Sequence, residues 1–170
     1  MGVRSGAEYK AGLRDNRRVF INGEVVTDVT AHGAFKGVIE TIANLFDTQS
    51  DPAYRDVMTH ILPETGERVC RNYHMAVTQD EMMARLRCDH VRADLTFGVM
   101  GRLTDFMSAW LTDQIASLTF TGNHEAAERS RRYHAHVRDH DLMLTHALID
   151  PQTDRSLPGA PDESLRIVER

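Results

Sequence analysis

Between residues 35 and 46 the side chains Phe35, Val38, Ile39, Ile42, Leu45 and Phe46 recur at three- and four-residue intervals, the spacing that gathers them along one face of an α-helix. A helix with so continuous an apolar face must bury it against other elements, so the chain is expected to fold as a packed helical domain. Further helices follow from their start signals. Ser5 caps a short helix through Asp15, and Pro52 fits the first turn of another reaching about His60. Thr78-Gln79-Asp80-Glu81 has the spacing at which the first and last side chains each reach the other's backbone N–H. It opens a long helix with the apolar stripe Met82, Leu86, Ala93 and Phe97, ending at Gly98. Beyond a break at Gly101, Phe106, Met107, Trp110, Leu111 and Ile115 mark another helix, and Asn123 caps one running to about His140.

The strand signals are few and short. Asn22-Gly23 lies between the β-formers Val19-Phe20-Ile21 and Glu24-Val25-Val26, and a type I′ hairpin turn needs positive φ at both central positions. After the break Pro63-Glu64-Thr65-Gly66, the residues Val69, Arg71 and Tyr73 alternate as one edge of a strand. Residues 142–149 are apolar without a helical period, Asp150-Pro151 forces an extended exit, and Leu165 to Val168 begins a strand. The expected fold is mainly α, with one or two small β-hairpins.

Composition narrows the function. A length of 170 residues suits one domain. With 25 acidic against 20 basic residues the net charge is −5, a field that repels a phosphate backbone, so nucleic acid is not an expected general partner. No apolar run approaches the ~18 residues of a membrane span. Two cysteines, Cys70 and Cys88, are too few for a disulfide scaffold and wrongly spaced for a zinc knuckle. With no apolar core of a secretory signal among the first residues, a reducing, cytoplasmic compartment is expected.

Several clusters invite a chemical reading. His134, His136 and His140 suggest a metal, but no carboxylate completes an H-E-x-x-H pattern, and on an arginine-rich helix they read as surface residues. Arg129, Arg131 and Arg132 suit a phosphate, or simply a solvated face. No nucleophile elbow, dinucleotide fingerprint or P-loop occurs. Two segments stand apart. In residues 98–107 paired glycines let the backbone turn where Arg102 and Phe106 emerge, and in residues 144–155 His146 sits in an apolar stretch followed by a polar turn.

Taken together, these segments resemble the 4-hydroxyphenylacetate 3-hydroxylase family, the oxygenase component of two-component flavin monooxygenases. The resemblance runs through Tyr9-Lys10, Leu13-Arg14-Asp15, residues 28–35, residues 51–56 and Pro63-Glu64-Thr65-Gly66. Its most specific parts are Met100-Gly101-Arg102 and residues 144–155. It implies a helical N-terminal domain resembling acyl-CoA dehydrogenases over residues 1–155, then a linker and the first strand of a β domain over 156–170.

The resemblance also implies a chemistry. Family members take reduced FAD from a separate NADH-dependent reductase and use oxygen to hydroxylate a phenol beside its hydroxyl group. Arg102 and His146 match the family's active-site arginine and histidine. A permanently charged guanidinium suits phenolate charge, and an imidazole titrating near about pH 6.5 suits the phenolic proton. Phe106 stands where the family has a tyrosine, which keeps an aromatic wall and deletes a hydroxyl. His146, Ala147 and Leu148, then Gln152, Thr153, Asp154 and Arg155, match positions that line FAD. Asp150 replaces the usual asparagine. A radical dehydratase branch of the superfamily carries iron–sulfur cysteines near the Arg102 motif, and none lies there. The alternative is a non-catalytic interaction module that keeps the helical fold. As an oxygenase piece, the chain is expected to act with a homo-oligomeric or complementing polypeptide and to be inactive alone.

Overall fold

The computed structural model describes residues 2–98 and 104–145, with the backbone alone at 104–106. Helix α1 spans Gly6–Gly12 and opens on the reciprocal cap Ser5/Glu8, stopping one turn short of the expected Asp15. It lies on α2, Gly33–Thr48, which buries Ile39, Ile42, Ala43, Leu45 and Phe46. The contact is close because Gly6 has no side chain: a Cβ there would lie 2.5 Å from the Ala43 carbonyl oxygen. The Gly6 N–H donates to Asp47 Oδ1 (2.8 Å), while Tyr9 stacks on Phe46 with ring centroids 5.0 Å apart. Between these helices β1, Val19–Ile21, pairs with β2, Glu24–Val26. Asn22 (φ 50°) and Gly23 (φ 85°) form the expected turn.

The helix expected from Pro52 to His60 is only α3, Arg55–Met58. Thr59 leaves it with extended backbone and starts β3, Thr59–Ile61, which pairs antiparallel with β4, Arg68–Cys70. The cause is a rival set of partners for the helix end. The Arg71 side chain donates to the carbonyls of Val57 (2.7 Å), Asp56 (2.9 Å) and Thr59 (2.6 Å), satisfying groups that a helix end leaves open. The strand expected through Tyr73 stops at Cys70, and Arg71–Tyr73 is one turn of 3₁₀ helix that buries Asn72 and Tyr73.

Helix α4, Gln79–Leu95, opens on the expected Thr78/Glu81 cap. Its apolar stripe is another matter. Met82, Leu86 and Phe97 are exposed, and the helix buries Cys88 and Arg92 instead. Polar bonding turns this face inward: Arg92 Nη2 donates to Cys70 Sγ (3.2 Å) and Asn72 Nδ2 to Asp89 Oδ1 (2.7 Å). Met82 and Leu86 line an open groove with Met75 and Val77. Phe97 (φ 52°) and Gly98 (φ 76°) end the helix in left-handed conformation.

Helices α5, Thr104–Phe120, and α6, His124–Asp139, form a hairpin turned at Gly122 and capped by Asn123. They bury Leu111, Ile115 and Val137 against Cys70 and Tyr73, with Leu142 and Leu144 packed alongside. Tyr73 Oη donates to the Leu142 carbonyl, which fixes the chain as it leaves α6.

A buried polar joint ties these parts to the α1–α2 core. Asp141 Oδ2 accepts from Arg4 N (2.9 Å) and Gln49 Nε2 (3.0 Å), and the Asp141 carbonyl accepts from Arg4 Nη2 (2.6 Å). The mainly helical fold with two small hairpins is as expected. Among the described residues no helix is long and apolar enough to cross a membrane.

Candidate functional site

The α5–α6 hairpin opens into a cavity of about 370 Å³. Along α5, Met107, Trp110, Leu111 and Gln114 face it at the three- and four-residue steps that share one helix face. From α6 come Arg129, Ser130 and Tyr133, and Leu144 and Thr145 close the end. Trp110 and Tyr133 remain about half exposed, at 51% and 52%, because they stand as walls rather than core. The Arg129 guanidinium gives one N–H to Glu125 (2.5 Å) and keeps donors to spare.

Of the residues expected to act on the phenol, Arg102 and His146 lie outside the described residues, as do Ala147, Leu148, Gln152, Thr153, Asp154 and Arg155. So do the exit at Asp150-Pro151 and the strand from Leu165. Phe106 belongs to α5, and its side chain is outside the description. Their described neighbours do meet: Met107, one residue past Phe106, and Thr145, one before His146, line the same cavity. Trp110 and Leu111 were legible as a helix face, but their use as cavity wall depends on how α5 and α6 diverge.

The remaining clusters resolve simply. Contrary to the surface reading, His134 is buried against Tyr73, ring centroids 6.1 Å apart, and burial, reinforced by Arg138, lowers its pKa. His136 and His140 lie ring to ring at 4.4 Å, and no group of three His, Cys, Asp or Glu among the described residues is placed to hold a metal ion. Arg131 bonds Thr119 Oγ1 (2.8 Å) and faces Glu128, as on a solvated helix. Burial pushes the Cys70 thiol up to about 12 and raises Cys88 as well, so neither is a ready nucleophile.

Among the described residues, six helices with two small antiparallel hairpins make a mainly helical domain whose fold recurs in solved structures. The fold is shared with an archaeal 4-hydroxybutyryl-CoA dehydratase from N. maritimus, matched over 82% of this chain with a TM-score of 0.68 at 19% identity. Residues 5–170 match the family described as 4-hydroxyphenylacetate 3-hydroxylase N terminal, and the chain belongs to that family.

Relatives bear this out. The 4-hydroxyphenylacetate 3-monooxygenase oxygenase component of Thermus thermophilus is 38% identical over 97% of this chain and 34% of its own length. A crystal structure of such an oxygenase component (HpaB), complexed with FAD and 4-hydroxyphenylacetate, superposes with a TM-score of 0.82 at 37% identity. It covers 94% of this chain and 33% of that one. The chain therefore spans about a third of the length of the relatives it matches.

Proposed function

We propose that this chain is the N-terminal part of a reduced-FAD-dependent, two-component monooxygenase that hydroxylates a phenol of the 4-hydroxyphenylacetate type ortho to its hydroxyl. The observation that carries the reading is the shared cavity: the residues flanking Phe106 on one side and His146 on the other line one concavity. That supports a single phenol meeting Arg102, Phe106 and His146 together.

In this reading Arg102 holds the phenolate oxygen by charge, and His146 takes or holds the phenolic proton, which enriches the ring toward an electrophile. Phe106 supplies an apolar wall and leaves the oxygen one donor poorer than a tyrosine would. The chemistry of the cavity's described edge, apolar and aromatic with a few hydrogen-bonding groups, suits a flat heteroaromatic ring. Backbone and amide groups of His146, Ala147 and Leu148, and of Gln152, Thr153, Asp154 and Arg155, would hold the flavin. FAD, reduced by an NADH-dependent reductase, supplies oxygen activation when bound. In the same reading residues 1–155 belong to the helical domain, and 156–170 to a linker and the first strand of a β domain.

A hybrid tests this. Residues 1–170 replace the matched third of the solved oxygenase component, and the hybrid receives reduced FAD, oxygen and 4-hydroxyphenylacetate. The ortho-hydroxylated product is expected, and its loss in Arg102→Ala and His146→Ala. A hybrid that holds FAD yet leaves the phenol unchanged overturns the reading.

A further inference from the structure

Asp141 carries more than the end of a helix requires. Helix α6 closes in a two-bond turn: the Asp141 N–H donates to the Arg138 carbonyl (3.1 Å) and the Leu142 N–H to the Val137 carbonyl (2.9 Å). The residue just past such an end is left-handed, here at φ 44°, a conformation that glycine suits best. This chain has an aspartate there instead. The residue is only 3% exposed, and its carboxylate sits at the negative end of the helix dipole. Left-handed backbone, burial and the dipole all disfavour it, so the aspartate is explained by what it holds rather than by the turn.

Its partners come from the far side of the domain. Arg4, ahead of α1, gives its backbone N–H to Asp141 Oδ2 (2.9 Å) and its guanidinium to the Asp141 carbonyl, from Nε at 2.9 Å and Nη2 at 2.6 Å. The same guanidinium lies over the Phe46 ring, 4.8 Å from its centroid. Gln49, at the C-terminal end of α2, donates from Nε2 to Asp141 Oδ2 (3.0 Å). Past this clamp the chain runs along the seam between two cores. Met143 packs on the α1–α2 core, whereas Leu142 and Leu144 pack on that of α5 and α6. Leu144 and Thr145 then close the end of the cavity. Resting on the phenol-hydroxylase reading for what the cavity serves, we propose that Asp141 is a positioning residue. Held by Arg4 and Gln49, it sets Leu144 and Thr145 as the end wall, so the N-terminal arm and α2 shape the cavity together with α5 and α6.

The chain's single tryptophan, Trp110, lines the same cavity, so the accessibility of its indole reports the end wall. Acrylamide quenching and the emission maximum are measured on the purified 170-residue chain. Asp141→Gly keeps the left-handed turn and removes the carboxylate. It is expected to raise quenching and shift emission to the red, with a ceiling of about twofold because Trp110 is already 51% exposed. Arg4→Ala should do the same from the other partner, and the double variant should add little, as for two halves of one contact. Asp141→Asn keeps an acceptor and tolerates left-handed backbone, so it should stay near wild type. Thr78→Ala removes a cap on α4, away from clamp and cavity, and controls for general loosening. In the hybrid oxygenase Asp141→Gly should lower kcat about tenfold or more, as displaced positioning groups do, and Asp141→Asn should keep it near the parent's. Trp110 unchanged in both Asp141→Gly and Arg4→Ala, or changed equally by Thr78→Ala, overturns the clamp. An unchanged kcat in Asp141→Gly overturns its bearing on the reaction. If Asp141→Gly does not fold, Arg4→Ala decides in both assays. A hybrid inactive with the unaltered sequence refutes the phenol-hydroxylase reading, while the Trp110 results still decide the clamp.

Discussion

Acid should weaken this fold through one histidine more than through any surface carboxylate. His60 on β3 stands edge-on to His74, ring centroids 4.6 Å apart, and its Nδ1 is buried without a hydrogen-bond partner. Burial, then the neighbouring His74, Arg71 and Arg138, lowers its pKa from 6.5 to about 4. The unfolded chain therefore binds a proton at higher pH than the folded one. Stability from a neutral His60 is complete above the unfolded value and is lost as pH falls from 6.5 toward about 4. At about 1.4 kcal/mol per pH unit the full loss is about 3 kcal/mol, a large share of the ~5–15 kcal/mol that holds a domain together. Urea unfolding of the wild type and of His60→Gln, followed by circular dichroism near neutrality and at about pH 4.5, reads it out. The wild type should lose about 2–3 kcal/mol more than the variant over that interval. Parallel losses in the two proteins would show that His60 is protonated as easily in the fold as outside it, and would refute the reasoning.

Three further outcomes are expected. Gly6→Ala should destabilise by about 1–3 kcal/mol, as overpacking does, because the new Cβ meets backbone at 2.5 Å; a thermal melt checks it. Thr78→Ala removes the hydroxyl that accepts from the Glu81 N–H and should cost about 1 kcal/mol in denaturant unfolding. In the hybrid oxygenase, Phe106→Tyr should change phenol preference or the coupling of oxygen use to product while leaving the fold intact. Unchanged kinetics across a panel of phenols would set Phe106 outside the pocket.

What could be read from the sequence was what is local. The caps at Ser5, Thr78 and Asn123 and the Asn22-Gly23 turn depend on neighbours within three residues, and each appears as expected. The inner face of α4 was not legible, since its apolar period pointed to Met82 and Leu86. The face is chosen instead by bonds from Arg92 to Cys70 and from Asn72 to Asp89, partners about 20 residues away. Arg71 is similar: its alternation with Val69 and Tyr73 looks like a strand, whereas three carbonyls around α3 claim its side chain and the chain turns. At the site, the segments of Arg102 and His146 stood apart by their glycines and their histidine in an apolar stretch, but the roles of the two residues came only through resemblance. No period or spacing marks one arginine among many as a phenol ligand. Tyr133 was hidden because a polar helix rich in arginine looks like a solvated surface, and only its apposition to α5 makes it a wall.

On the proposed function, one phenol meets both Arg102 and His146. A crystal structure of the hybrid oxygenase with FAD and 4-hydroxyphenylacetate measures it directly. The Arg102 guanidinium and a His146 ring nitrogen should both lie within hydrogen-bond distance of the phenol oxygen, about 2.6–3.2 Å. Arg102 and His146 on opposite faces of the domain, or a phenol bound with neither in reach, would contradict it.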